Sequence, residues 1–316
     1  MADALRLAFL YPGQGGLPEA PLSELFPDEP DVPILYAGAS GPETPELGTF
    51  FQAVQPEELP AQAGVLATGY ALGQLVRSRG IEPAAMAGYS SGVYTALAAS
   101  QAAAPEDMAA IVPFAYRAVQ ACQGQTAYRM VAVVGLSRQQ VEAILDDREG
   151  PGWVSLINNE RQLVVSLPLD GAKPFAAACR EAGALHVIEL PFRSPYHAPP
   201  LESAGLALAR QLASLDLRPP EVPVMAGTEP HFLMDAQDIA RTVGEQLFSP
   251  VRWQLTIERL LDSGIDGLVC LDPSQTLTRI VLWITRRVPV FGLAGQRDLK
   301  KLLAACDTEC CCRGRS

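Results

Sequence analysis

The 316-residue chain is 48% hydrophobic and 19% charged, a composition that excludes general disorder and a fibrous protein. A chain of this length exceeds what one compact hydrophobic core usually serves, so we expect a large domain that carries a smaller inserted or appended one. Its 24 basic and 35 acidic residues give a net charge of −11, which makes nucleic acid an unfavourable partner because its phosphates would be repelled.

The first third of the chain alternates predicted strands and helices. Leu5–Tyr11 is an apolar run typical of a buried strand, and a glycine-rich loop, 12–16, follows it. Residues 17–60 are rich in Pro, Glu and Gly and predict surface structure, with a short strand over Val32–Tyr36. The next predicted elements are helix Ala61–Arg79, strand Ala84–Ala87, and helices Val93–Ala104 and Met108–Ala121.

The middle of the chain changes to the order β-α-β-β-α-β, which is typical of a ferredoxin-like unit. Its predicted segments are strand Arg129–Leu136, helix Ser137–Asp147, strands Trp153–Ile157 and Gln162–Leu167, helix Gly171–Ala182 and strand Leu185–Leu190. After it come helix Ala198–Leu215, strand Val222–Ala226, helices Ala236–Leu247 and Trp253–Ser263, and strand Gly267–Leu271. We therefore predict an α/β fold: a large α/β-hydrolase-like domain with a parallel sheet (1–125 and 194–316), and an inserted small ferredoxin-like domain (126–193).

The segment Gly88-Tyr89-Ser90-Ser91-Gly92 lies between a predicted strand and a predicted helix. The spacing fits a nucleophile elbow, in which small residues allow a tight turn that exposes the serine hydroxyl. A glycine-rich turn with a capping serine is the alternative. The position between strand and helix favours Ser90 as a nucleophile.

A serine hydroxyl needs a base, usually histidine, and the chain has three. His186 falls inside a predicted strand, and His231 follows Glu229-Pro230 in a predicted turn. His197 lies in the irregular segment 191–199 at the exit from the small domain, from which a side chain can reach the larger one. His197 is therefore the best candidate base.

Several segments, taken in order, resemble a known family. They are Pro12-Gly13-Gln14-Gly15, the Ser90 elbow, Arg117, His197 and Pro250-Val251-Arg252-Trp253. In this order they are similar to the marks of the malonyl-CoA:acyl carrier protein transacylases and of polyketide synthase acyltransferase domains. The resemblance spans nearly the whole chain, and the ordered set is far more specific than any single motif.

The resemblance implies a ping-pong transfer of malonyl from coenzyme A to the phosphopantetheine thiol of an acyl carrier protein. Ser90 would be acylated, and His197 would act as general base and then as general acid. Arg117 would hold the malonyl carboxylate, since a guanidinium binds a carboxylate through two parallel hydrogen bonds. Arg129 is the alternative arginine.

The remaining implied roles belong to backbone groups. The N–H groups of Gln14 and Ser91 would form the oxyanion hole. A carbonyl at Gln246 or its neighbours would orient the histidine. The implied partners are malonyl-CoA and an acyl carrier protein, and coenzyme A thioester enters as substrate, with no metal or redox cofactor.

Two departures from the family pattern keep other interpretations open. Tyr89 replaces the family histidine before the nucleophile, and Ser91 replaces a usually apolar residue. A serine hydrolase or thioesterase, or a catalytically inactive scaffold, are the alternatives. Within the family, fatty-acid synthesis, a polyketide pathway and malonate decarboxylation all remain open.

The rest of the chain bears on location and partners. No segment resembles a secretory leader, and none approaches the roughly 18 apolar residues of a membrane span, so a cytoplasmic monomer without membrane contact is expected. Cys306 and Cys310–Cys312 predict a loose, thiol-bearing tail, with a metal site as the alternative. Residues 279–316 hold eight basic and three acidic residues, which predicts a lobe that attracts polyanions. An amphipathic helix with Leu282, Trp283 and Leu299 turned inward is the alternative.

Overall fold

The computed structural model describes residues 5–18, 20–45 and 58–312, and only the backbone for 308–312. Part of the predicted surface segment 17–60, the thiols of Cys310–Cys312, and Arg313 and Arg315 thus lie outside the described side chains. Within the described residues no helix is long and apolar enough to cross a membrane.

A five-stranded parallel sheet forms the centre of the molecule. Its strands are β1 (Leu7–Tyr11), β2 (Ala85–Gly88), β7 (Val224–Met225), β8 (Gly267–Cys270) and β9 (Val290–Gly292), in the order β7-β2-β1-β8-β9. Every residue of β1, β2, β7 and β8 is buried, which explains why the sequences of these strands are continuously apolar. The predicted parallel sheet is confirmed.

Helices surround this sheet and alternate with its strands. They are α1 (Leu22–Leu25), α2 (Val32–Ala37), α3 (Glu58–Ser78), α4 (Gly92–Ala99), α5 (Pro105–Gln123), α8 (Glu202–Leu212), α9 (Ala236–Gln246), α10 (Trp253–Asp262), α11 (Thr276–Ile284) and α12 (Gln296–Cys312). A short 3-10 helix, Pro199–Leu201, precedes α8.

A second, antiparallel sheet is formed by the middle of the chain. Its strands are β3 (Tyr128–Val134), β4 (Trp153–Asn159), β5 (Gln162–Pro168) and β6 (His186–Glu189), in the order β4-β5-β3-β6. Helices α6 (Arg138–Asp146) and α7 (Leu169–Glu181) complete the β-α-β-β-α-β unit. Ser137 and Gln140 cap α6 reciprocally, the pattern their spacing predicts. The ferredoxin-like prediction is therefore confirmed.

The two sheets share one apolar core. Ala8 and Leu10 of β1 belong to the same buried cluster as Met130 of β3 and Leu156 of β4. Trp253, at the start of α10, is fully buried in this cluster. Residues of this core, Met130 and Leu156 among them, also line the cavity beside Ser90.

Three local predictions are wrong. Val32–Tyr36 is helical, because Pro33 sits at the start of α2, where its fixed φ suits the first turn of a helix. The backbone of the cysteine-rich end is helical up to Cys312 and is not a loose tail. Leu282 and Trp283 point outward, Trp283 with 78% of its surface exposed, whereas Leu299 is buried.

Candidate functional site

Ser90 lies in the tight turn between β2 and α4. Its φ of 54° falls in the left-handed region, which is strained for a residue with a side chain. Gly92 permits this turn, because a Cβ there would clash with the carbonyl oxygens of Tyr11 and Pro12 at the end of β1. The elbow is thus held against the central strand, and its serine is presented at the carboxyl end of the parallel sheet.

The side chain of His197 meets this serine. Ser90 Oγ and His197 Nε2 are 2.7 Å apart. On the other side of the ring, Nδ1 lies 2.7 Å from the backbone carbonyl oxygen of Gln246. Because a carbonyl can only accept, Nδ1 carries the proton and Nε2 is left as an acceptor for the Ser90 hydroxyl.

Burial keeps this histidine neutral. His197 is only 3% exposed. Burial lowers the pKa of His197 from 6.5 to about 4, partly opposed by the hydrogen bond to Gln246. At neutral pH the imidazole is therefore able to accept a proton.

The end of α9 holds both members of the pair. The N–H of His197 donates to the carbonyl of Leu247 at 2.9 Å. The Gln246 side-chain amide donates to the Ser90 carbonyl at 3.0 Å. Gln246 thus contacts the histidine through its backbone and the elbow through its side chain.

Two backbone N–H groups at the site are available as donors. Gln14, in the loop after β1, and Ser91, at the start of α4, both line the cavity around Ser90. No described acceptor takes a hydrogen bond from either N–H. An N–H at a helix start has no intrahelical partner, so it can bind a negatively charged oxygen.

A cavity of about 220 Å³ opens beside Ser90 and His197. Its polar lining groups are all uncharged at neutral pH, the amides of Asn158 and Gln162 and the hydroxyl of Ser91 among them. Most of the remaining surface is apolar. We call six of its apolar side chains the apolar wall: Ala115, Val119, Met130, Leu156, Val164 and Ile280.

Tyr89 connects the elbow to the antiparallel sheet. Its hydroxyl donates to Asn158 Oδ1 on β4 at 2.7 Å. Its ring packs edge-on against Trp253, with ring centroids 5.2 Å apart and 71° between the planes. Burial raises the pKa of Tyr89, so its hydroxyl remains a donor at neutral pH.

Arg117 does not reach the cavity. Its side chain is 66% exposed, and its guanidinium lies 4.0 Å from the Glu43 carboxylate. Ala115 and Val119 of α5, four residues apart, face the cavity, and Arg117 is rotated about 200° from Ala115 around the helix. The role of holding a carboxylate, predicted for Arg117, therefore does not fit this geometry.

Arg129 does not reach the cavity either. It neighbours Met130 on β3, and successive side chains of a strand point to opposite faces. Met130 belongs to the apolar wall, whereas Arg129 lies 3.8 Å from Glu189 of β6. The alternative arginine is thus also turned away from Ser90.

The other two histidines lie elsewhere. His186 is exposed on the edge strand β6. His231 contacts the Glu229 carbonyl at 2.7 Å and Asp238 at 3.0 Å. The structure therefore brings Ser90, His197, Gln246, Gln14 and Ser91 to one place, as the sequence predicts, and leaves Arg117 outside.

Comparison with known proteins places this arrangement in a family. The sequence pattern described as "Acyl transferase domain" matches residues 54–307. The chain belongs to this acyl transferase family. The malonyl CoA-acyl carrier protein transacylase of Bacillus subtilis (strain 168) is 27% identical to this acyltransferase over 302 residues, 93% of this chain and 95% of the relative.

Solved structures agree with this family. A malonyl-CoA:acyl carrier protein transacylase from Xanthomonas oryzae pv. oryzae has a TM-score of 0.85 and 27% identity, covering 96% of this acyltransferase and 99% of that chain. A malonyl-transacylase in complex with its type II polyketide synthase acyl-carrier protein has a TM-score of 0.83 and 21% identity, covering 95% and 99%. The second likeness shows the fold alone.

Sequence reasoning missed a polar cluster next to the cavity of this acyltransferase. Tyr196 accepts a hydrogen bond from the Gln62 amide at 3.0 Å and donates to Glu58 at 3.2 Å. Glu58 also accepts from the N–H of Arg193 at 2.6 Å. Glu58 and Gln62 are more than 130 positions from Arg193 and Tyr196 in the sequence. No local sequence pattern therefore connects α3 with the segment before His197.

Proposed function

We propose that the chain is a Ser-His acyltransferase that moves a malonyl group from coenzyme A to the phosphopantetheine thiol of an acyl carrier protein. The observation that carries the proposal is the contact of 2.7 Å between Ser90 Oγ and His197 Nε2, with Nδ1 on the Gln246 carbonyl. The names of the family relatives support malonyl-CoA as donor and an acyl carrier protein as acceptor.

The first half of the reaction acylates Ser90. His197 Nε2 removes the hydroxyl proton while Oγ attacks the thioester carbonyl carbon. The carbonyl oxygen becomes an oxyanion, and the N–H groups of Gln14 and Ser91 stabilise it. When the tetrahedral intermediate collapses, the C–S bond breaks and the protonated His197 donates its proton to the departing thiolate of coenzyme A.

The second half repeats these steps with the carrier thiol as nucleophile. His197 removes the thiol proton, the sulfur attacks the serine ester, and the C–Oγ bond breaks as the proton returns to Ser90. A buried histidine with a pKa of about 4 is neutral at the start of each half and gives up its proton readily. The chemistry uses a nucleophile, a base and oxyanion donors, so it requires no metal or redox cofactor.

The acting unit we propose is a monomer. Ser90, His197, Gln246 and the cavity lining all come from a single chain. No residue of a second copy is needed to complete the proposed reaction. Gel filtration with light scattering would test this part of the proposal, and a stable dimer as the only species would contradict it.

The test of the proposed function is covalent loading of Ser90. The purified chain mixed with malonyl-CoA should gain the mass of one malonyl group and should lose it when a carrier protein with phosphopantetheine is added. Ser90→Ala should show no gain, whereas Ser214→Ala, at an exposed serine just after α8, should load normally. Loading of the Ser90→Ala protein, or release to water at the same rate with and without carrier, would contradict the proposal.

A further inference from the structure

Among the described residues that line the cavity beside Ser90 there is no cationic side chain. All the lining residues that the structure describes are apolar, amide, hydroxyl or phenol groups, apart from the neutral His197. The segment 46–57, which lies outside the description, contains no Lys or Arg in its sequence. A carboxylate at the far end of an acyl group thus meets no positive charge among the described lining residues.

The arginines near the cavity in sequence are turned away from it. Arg117 is exposed beside Glu43, and Arg129 lies by Glu189 on the other face of β3. Arg193 follows the lining residue Phe192, but its side chain is exposed. An arginine that selects a carboxylate must reach it with two parallel N–H donors, and none of these three is in position to do so.

A negative charge lies close to the cavity instead. Tyr196 lines the cavity, and its hydroxyl is hydrogen-bonded to the Glu58 carboxylate at 3.2 Å. This carboxylate would repel the carboxylate of a bound acyl group through a wall of low polarity. Electrostatics in this pocket therefore disfavour a second negative charge.

The apolar wall offers favourable contact to a different kind of acyl group. All six of its members are buried, with at most 7% of their surface exposed. Covering such side chains with methyl or methylene groups is favourable, whereas burying an unpaired carboxylate against them is costly. The amides of Asn158 and Gln162 add neutral donors only.

We propose, resting on the proposed function, that the same site also loads uncharged, short aliphatic acyl groups and has no preference for a carboxylated one. Malonyl is accepted through the neutral donors, and unsubstituted acyl groups are accepted through the apolar wall. Ser90 forms its ester with either in the same way, because the reacting carbonyl and the thiol leaving group are the same. The transfer to a thiol acceptor is likewise unchanged.

The test compares coenzyme A thioesters whose acyl groups are similar in shape but differ in charge. Isovaleryl-CoA replaces the malonyl carboxylate by an isopropyl group, and butyryl-CoA and acetyl-CoA extend the series. Loading of Ser90 is followed by the mass of the intact protein in single-turnover experiments. We expect kcat/KM for isovaleryl-CoA or butyryl-CoA to lie within about threefold of that for malonyl-CoA, or above it.

The two proposals fail in different ways. If no thioester loads Ser90, the proposed function is wrong. If malonyl-CoA loads and is preferred over both isovaleryl-CoA and butyryl-CoA by more than about tenfold, the proposed function stands and this inference is overturned. A selective loss of malonyl loading in Arg117→Ala or Arg193→Ala would overturn it as well, because a cation would then reach the pocket.

A substitution can supply the missing charge. Ala115→Arg places a guanidinium in the apolar wall and should raise the ratio of malonyl to isovaleryl loading by about tenfold or more. Ala115→Met is the matched control, since it adds bulk without charge and should not favour malonyl. A folded, loading Ala115→Arg protein with an unchanged ratio would show that the acyl group does not contact the wall, and would overturn the inference.

Discussion

The two ends of the cavity differ in what builds them. At the Ser90 end, backbone groups position the Ser90–His197 pair: a left-handed turn, the Gln246 carbonyl, and the N–H groups of Gln14 and Ser91, which donate to no described acceptor. At the other end, the apolar wall consists of side chains from three different parts of the fold. Backbone geometry depends on the fold, which relatives share at low identity, whereas a wall of side chains changes with single substitutions.

This difference separates the residues that carry out the transfer from the residues that contact the acyl group. The transfer chemistry is the same for any thioester, so it needs the Ser90 end alone. The choice of acyl group depends on charge and shape in the wall.

Removal of the base should slow the transfer chemistry at Ser90 without changing which acyl group the apolar wall accepts. His197→Ala should slow Ser90 loading by about 10²- to 10⁴-fold, the usual contribution of a general base. The slowing should be equal for malonyl-CoA and butyryl-CoA, as measured by single-turnover mass shifts. His186→Ala, an exposed histidine on β6, is the control and should load at the normal rate. Unequal slowing of the two thioesters would contradict the separation of the two ends.

The pH profile should report the burial of His197. Its pKa is lowered to about 4 because burial disfavours the charged imidazolium, so the base stays neutral until the pH falls through that value. The value of kcat/KM for loading should therefore remain flat from pH 8 to about 5 and fall near pH 4. A midpoint near 6.5, the ordinary value for histidine, in protein that circular dichroism shows to be folded would contradict this.

The free energy of unfolding should also decrease as the pH falls. A histidine whose pKa is lower in the folded than in the unfolded state binds its proton preferentially on unfolding. His197 therefore lowers the free energy of unfolding as the pH falls from 6.5 toward 4. Urea denaturation across this range should show the decrease, and His197→Ala should reduce its slope.

Loss of the hydrogen bond between the elbow and the antiparallel sheet should lower the free energy of unfolding moderately. Tyr89→Phe removes the hydrogen bond to Asn158 and keeps the ring on Trp253, so it should lower the free energy of unfolding by about 1 to 3 kcal/mol. Tyr128→Phe is the control, because the Tyr128 hydroxyl has no hydrogen bond to a described residue. Equal midpoints for both variants in urea would show that the Asn158 contact contributes nothing.

Two exposed arginines follow the end of α11. Arg286 and Arg287 are exposed near Trp283, and charge reversal of both should raise KM for an acidic carrier protein a few-fold at low salt and less at high salt. The same reversal at Lys173 and Arg210, exposed on α7 and α8, should have little effect. A KM that responds to neither the reversal nor the salt would assign Arg286 and Arg287 to solubility alone.

Local patterns predicted most of the fold. The ferredoxin-like strand order, the parallel α/β alternation and the capping of α6 all depend on hydrophobic periodicity and on residues within a few positions of one another. The wrong strand over Val32–Tyr36 has a similar cause, because a short apolar run fits either structure and Pro33 at its start decides for the helix.

The sequence by itself determined the elbow, the identity of the base among three histidines and the order of the motifs, since each depends on spacing along the chain. Only the tertiary structure decided which residues face Ser90. The rotation of α5 turns Arg117 to solvent and Ala115 inward, and the alternation of β3 turns Arg129 away from Met130. A shift of two positions on a helix reverses the face on which a residue lies, so a motif read without its helical phase identifies the right residue type in the wrong place.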